Sequence, residues 1–146
     1  MRMQPKDPDF KSRIAQKMEK NEFMHYLGFK ATVIEAGRIE GYLDIENHHL
    51  QQSKFLHGGV TATLADLVAG FAAFTLVNKT QTVVTSDLKI AYLNPGTGKR
   101  ALAKGWVIKA GSKLIFGEAE VISLEPDGRE VLIAKGYLTF AVVDIP

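Results

Sequence analysis

HGGVTATLADLVAGFAAFTLV, residues 57–77, decides how the rest of the chain must fold. After the pair Gly58-Gly59 the stretch is almost wholly apolar, rich in Ala and Leu and free of Pro. It predicts one helix from Gly58 to Val77. A helix that is apolar on nearly every side must be covered on nearly every side. As a helix the stretch is about 30 Å long, roughly the width of a small domain. A chain of 146 residues can cover it only with one wrapped sheet or with a partner subunit.

Asp66 is the one carboxylate in this stretch. Its helical neighbours at minus four, plus three, plus four and plus seven are Ala62, Ala69, Gly70 and Ala73, whereas Leu64, Leu67, Phe71 and Phe74 lie elsewhere. Small side chains let another backbone, or a ligand, come close. A carboxylate beside them is costly to bury without a proton or a donor. Either that face meets solvent at one point, or the carboxylate is kept in a cleft for chemistry.

The helix start carries the complementary group. Gly58 and Gly59 leave unscreened N–H groups that have no acceptor inside the helix and that favour an anion or a developing oxyanion. A glycine pair alone signals only a turn. Joined to His57 and to an Asp nine residues beyond that His, it becomes specific. Gly58 and Asp66 are about 12 Å apart along the helix, whereas reacting groups must lie within about 3 Å of a shared centre. Two copies packed antiparallel about a two-fold axis satisfy both distances. The expectation is at least a homodimer with sites built between subunits.

Composition narrows the classes. A content of 46% hydrophobic and 23% charged residues describes one ordinary globular domain. The net charge of +2 comes from 18 basic and 16 acidic residues that are scattered rather than striped, so no nucleic-acid partner is expected. The absence of Cys excludes disulfides, Cys-ligated zinc and thiol nucleophiles. His25, His48, His49 and His57 have no carboxylate cluster at ligand spacing, so no metal is expected. No phosphate loop or dinucleotide fingerprint calls for a cofactor. The start MRMQPKDPDF has no apolar signal core, and Asp66 argues against a membrane span, so a cytoplasmic protein with no membrane partner is expected.

Taken in order, residues 1–8 read as a loose arm, and Asp9 as the cap of a helix from Phe10 to Lys20 with Phe10, Ile14 and Met18 as its apolar stripe. Asn21 caps a short second helix through Leu27, ended by Gly28; Phe23, Met24 and Leu27 serve packing or line a pocket. Phe29 to Glu35 and Arg38 to Ile45 form a hairpin at Ala36-Gly37. Uneven alternation of Ile39, Tyr42 and Ile45 suggests a bulge. Strands follow at Thr82 to Tyr92, Lys99 to Lys109, Lys113 to Leu124 and Glu130 to Val142, read as an antiparallel meander. The fold class is α+β, a curved antiparallel sheet wrapped around one long central helix. Residues 1–28 form the arm and short helices, and residues 29–146 the domain.

LHGGVTATLAD at 56–66, SDLKIAYLNPG at 86–96 and the order of helix then four strands resemble the hotdog-fold acyl-CoA thioesterases of the phenylacetate-pathway (PaaI-like) type. The resemblance covers roughly Phe29 to Phe140 and implies that such dimers pair into a homotetramer, so the expected assembly is a homodimer or homotetramer. It implies that the N–H of Gly59, with Gly58 beside it, polarises the thioester carbonyl. Asp66 of the other subunit acts as general base or nucleophile. His57 holds the glycine turn near the sulfur, and Thr85 falls where some members carry a water-positioning Ser. The family's Asn six residues before the His is here Gln51, with Gln52 beside it. Catalytic candidates are thus Asp66, Gly59, His57, Thr85 and Gln51; substrate-binding candidates are Gly58, Gln52, Ala62 and Ala69. Lys99, Arg100, Lys104, Lys109 and Lys113 either meet the CoA phosphates or form a solvated face. An acyl-thioester hydratase or dehydratase, and a non-catalytic acyl-CoA or lipid binder, are the alternatives.

Overall fold

In the computed structural model, which describes residues 3–146, two short helices precede a sheet that holds one long helix. They are α1 (Phe10–Glu19) and α2 (Glu22–Leu27), followed by β1 (Lys30–Glu35), β2 (Arg38–Asp44), α3 (Gly58–Phe74), β3 (Gln81–Tyr92), β4 (Arg100–Ala110), β5 (Leu114–Leu124) and β6 (Glu130–Asp144). The six strands form one antiparallel sheet in the order β1-β2-β4-β5-β6-β3, and α3 packs against β2 through β6. The core is the buried side of α3, with Leu64, Val68 and Ala72, against Ile39, Leu43, Val121 and Phe140 of the sheet. At Gly105 of β4 a Cβ would collide with the backbone of Val68 and Ala69, so glycine here sets how closely the helix lies on the sheet.

Several expectations are corrected. Only β4, β5 and β6 form a meander; β3 crosses over to pair with β6 and takes the opposite edge of the sheet from β1. Sequence order could not show this, because adjacent strands need not pair when a twelve-residue strand emerges from the far end of a buried helix. The bulge near the first hairpin is in β1, between Ala31 and Val33, whereas β2 alternates cleanly with Ile39, Gly41 and Leu43 inward. A second bulge, between Thr85 and Asp87, rephases β3 so that Thr85 faces α3 while Ile90, five residues on, also packs against the core.

The helix ends at Phe74, not Val77. Thr75 Oγ1 donates to Ala72 O at 2.6 Å and accepts from Gly37 N–H at 2.7 Å, tying the helix end to the first hairpin. Residues 1 and 2 of the expected loose arm lie outside the described residues, but its remainder is tied down at Asp7, which is buried and whose Oδ2 accepts from Arg13 Nε at 2.9 Å. Arg13 in turn donates to Val77 O at 3.0 Å and Phe74 O at 3.5 Å and stands over the Phe74 ring. A cation thus sits at the C-terminal end of α3, against the Phe74 carbonyl and that of Val77 just beyond it, where the helix dipole favours one. Asp9 occupies the N-cap of α1 without accepting a side-chain bond there; Asp7 O accepts the Phe10 N–H instead. Asn21 caps α2 through the Met24 N–H, and Gly28 ends it at φ +96°. On α2, Met24 and Leu27 are buried but Phe23 is exposed, so Phe23 does not serve packing within this chain.

Candidate active site

The loop from β2 to α3 is held by one buried ring. His49 Nδ1 accepts the Glu46 N–H at 3.0 Å, which leaves the proton on Nε2 to donate to Leu27 O at 2.7 Å. The His57 N–H donates to His49 O at 2.9 Å, so this histidine locks α2 and the start of α3 together. It is a structural residue, and among the described residues no cluster of metal-ligating side chains forms. Gln51 closes its own turn, with its Oε1 accepting from the Ser53 N–H, while Gln52 is exposed. His25 lies on the surface, its Nε2 2.7 Å from Glu19 O.

His57 is the N-cap of α3, and its Nδ1 accepts the Gly59 N–H at 2.8 Å, an imidazole doing the work usually done by Ser, Thr or Asp. The Gly58 carbonyl accepts from Tyr92 Oη at 2.6 Å, and Thr63 Oγ1 donates to Gly59 O at 2.8 Å. Two cavities flank this helix start. One, of about 280 Å³, is lined by His57, Gly59, Val60 and Thr63 with Phe23 and Tyr26 of α2. The other, of about 400 Å³, is lined by Gln51, Phe55, Gly58, Thr61, Tyr92 and Asn94. Helical periodicity puts them on opposite sides of α3.

Asp66 opens onto a third cavity of about 280 Å³ with Leu67, Gly70, Phe71, Phe74, Val83 and Phe140 among its walls. The carboxylate is half-buried, and Thr85 Oγ1 donates to its Oδ1 at 2.7 Å. The bulge in β3 aims that hydroxyl, so the pairing of Thr85 with Asp66 depends on an irregularity that regular alternation would not produce. Gly59, Thr63, Asp66 and Gly70 follow one another at spacings of three and four and are all at least partly exposed, a single stripe along α3. The small face expected around Asp66 is therefore split. Ala62 and Gly70 stay partly open, but Ala69 and Ala73 are fully buried, with Ala69 turned toward Gly117 of β5. Ala69 is part of the buried core and does not line this cavity. The sequence reading also missed Tyr92, whose only signal is its place at the end of a strand just before the Asn94-Pro95-Gly96 break.

A family model described as the thioesterase superfamily matches residues 53–128, which hold the His57 cap, the whole stripe on α3 and Thr85. The chain belongs to the thioesterase superfamily. Thioester hydrolysis is therefore its class of chemistry. Among curated proteins it is 30% identical to human acyl-coenzyme A thioesterase 13 over 120 residues, covering 80% of this chain and 82% of that one. It is 26% identical to 1,4-dihydroxy-2-naphthoyl-CoA thioesterase 2 of Arabidopsis thaliana, covering 99% of this chain and 89% of that one. A thioesterase family protein from Silicibacter pomeroyi superposes with a TM-score of 0.90 at 28% identity, covering 92% of this chain and 98% of its own. A thioesterase from Haemophilus influenzae superposes at 0.79 with 21% identity, covering 90% and 89%, and shows the shared hotdog fold.

Proposed function

We propose that two copies of this thioesterase-superfamily chain together hydrolyse acyl-CoA thioesters to free acid and CoA, in the manner of the PaaI-like group and in the cytoplasm. The carrying observation is the stripe on α3. Gly59 and Asp66 lie on one face, about 10 Å apart, and open onto different cavities of the same protomer. An antiparallel second α3, brought in by pairing the unpaired edge of β3 with its copy, sets the Asp66 of one subunit beside the Gly59 of the other.

In that arrangement the thioester carbonyl accepts the Gly59 N–H, which His57 Nδ1 must release. Asp66, with Oδ1 engaged by Thr85, uses Oδ2 to take a proton from water as its oxygen attacks the carbonyl carbon. Collapse of the oxyanion breaks the carbon–sulfur bond, and the CoA sulfur leaves with a proton returned by the carboxyl group. The apolar walls around Asp66, with Phe71, Phe74 and Val83, take the acyl group. Gln51 borders the neighbouring cavity beside Gly58, where an amide can help to orient the substrate.

Subunit complementation tests this reading. Asp66→Asn removes the base, and Gly59→Pro removes the N–H at a first-turn position that tolerates Pro. Each variant alone should be nearly inactive. Co-refolded at equal amounts, half of the dimers are mixed and each mixed dimer has one intact site, so about a quarter of wild-type thiol release should return. No recovery in mixtures shown to contain heterodimers would remove the shared site.

A further inference from the structure

We infer that Tyr92 is a positioning residue that aims and polarises the Gly58–Gly59 peptide, and so acts on the thioester through that peptide. The inference rests on the thioester reading above. The Gly58 carbonyl and the Gly59 N–H are the two ends of one planar peptide unit. Tyr92 Oη donates to the carbonyl end at 2.6 Å, and the N–H end donates to His57 Nδ1 at 2.8 Å. Hydroxyl, peptide and acceptor therefore form one continuous hydrogen-bonded chain. Such chains reinforce themselves: a carbonyl that accepts a bond shifts electron density along the amide and makes the N–H opposite a stronger donor. When a thioester oxygen replaces the imidazole as acceptor, that gain goes to the carbonyl being attacked.

Packing within the protomer does not account for this tyrosine. Tyr92 is 57% exposed, so its ring is not a core element. A Cβ on residue 58 would stand 3.3 Å from Oη and 3.4 Å from the ring carbons, a contact tight enough to move the phenol by a few tenths of an ångström, so Gly58 eases its close approach to the carbonyl. Tyr92 is the last residue of β3, the strand that also carries Thr85. One strand thus supports both halves of the proposed chemistry, Thr85 holding the carboxylate and Tyr92 the oxyanion donor.

Tyr92→Phe keeps the ring and deletes only the hydroxyl. The expected result is a fall in kcat of roughly 3- to 10-fold, the weight of one neutral hydrogen bond, with KM and Tm unchanged. In protein labelled with ¹⁵N-glycine, the Gly59 amide proton should move upfield in the variant. A site-specific 3-fluorotyrosine at position 92, assayed where its phenol is still protonated, is a stronger donor and should restore or exceed wild-type kcat. An unmoved Gly59 amide resonance, a Tyr92→Phe enzyme with full kcat, or a loss of kcat that tracks a loss of Tm and ignores fluorination would each overturn the assignment. The amide measurement needs no substrate. A wild-type protein that hydrolyses no acyl-CoA would therefore sink the thioester reading alone and leave the Tyr92–peptide coupling separately judged.

Discussion

The two ends of α3 are built on opposite plans. At the C-terminal end the last carbonyls are closed off by Arg13, which is itself fixed by the buried Asp7, while Thr75 ties the helix to the first hairpin. That end faces inward, and among the described residues no buried side-chain nitrogen or oxygen lacks a hydrogen-bond partner. At the N-terminal end the helix is capped by an exposed histidine ring and a half-exposed phenol, between two open cavities. Bonds to such groups can be exchanged for bonds to a substrate, and the buried bonds at the other end cannot. Rigidity at one end is what allows replaceable contacts at the other to stay aligned.

Substitution of Asp66 should have the largest effect, and it belongs to the working stripe. Asp66→Asn should lower turnover by about 10²- to 10⁴-fold in a thiol-release assay while the protein still binds substrate. Its melting temperature should hold, because the new amide oxygen can still accept from Thr85 Oγ1. Near-normal turnover would take the carboxylate out of the mechanism.

Arg13→Ala attacks the sealed end. It leaves Asp7 buried without its main partner and uncovers the Phe74 carbonyl at the helix end and the Val77 carbonyl beyond it, which should cost about 2–4 kcal/mol in chemical denaturation, somewhat less than a fully buried pair because Arg13 is partly exposed. Turnover per folded molecule should change little. If activity fell far more than stability, the two ends would not be independent.

Gln51→Ala tests the periphery of the open end. The Gln51 side chain bonds only its own loop at Ser53 and borders the cavity beside Gly58, so a water can take its place and kcat should fall by less than about 10-fold. A loss as large as that of Asp66→Asn would promote Gln51 to the reacting centre.

The outer face of the sheet supplies the smallest effect. There Lys135 lies between Glu118 and Glu120 and over the Trp106 ring. Burial pulls its ammonium down, but the hydrogen bonds and charges of the two carboxylates more than offset this and hold it above the ordinary lysine value. A raised folded-state value means that the stabilisation is complete below the ordinary lysine range and is lost as pH rises through the folded one. Wild-type protein should therefore lose its small melting advantage over Lys135→Met as pH rises from below the ordinary lysine value of about 10.4 to well above it, with no change in activity per folded molecule. An advantage that persisted above that window would mean that Lys135 contributes packing rather than charge.

Much of the fold was legible. The helix at 58, the helix stop at Gly28 and the turns at Ala36-Gly37 and Asn94-Pro95-Gly96 are local signals, and local sequence fixes local conformation. His57, the glycine pair and Asp66 stood out for the same reason, since their spacing along one helix is set by 3.6 residues per turn. What the chain order could not carry was anything that depends on which elements meet. That β3 pairs with β6, that a bulge turns Thr85 onto Asp66, that Ala69 is buried against β5 while Asp66 stays open, and that Asp7 and Arg13 seal the far end are all contacts between residues distant in sequence. Tyr92 illustrates the boundary best. Its place at a strand end was readable, but its hydroxyl meets the Gly58 carbonyl only because the sheet curls back along the helix, and no one-dimensional pattern encodes that approach.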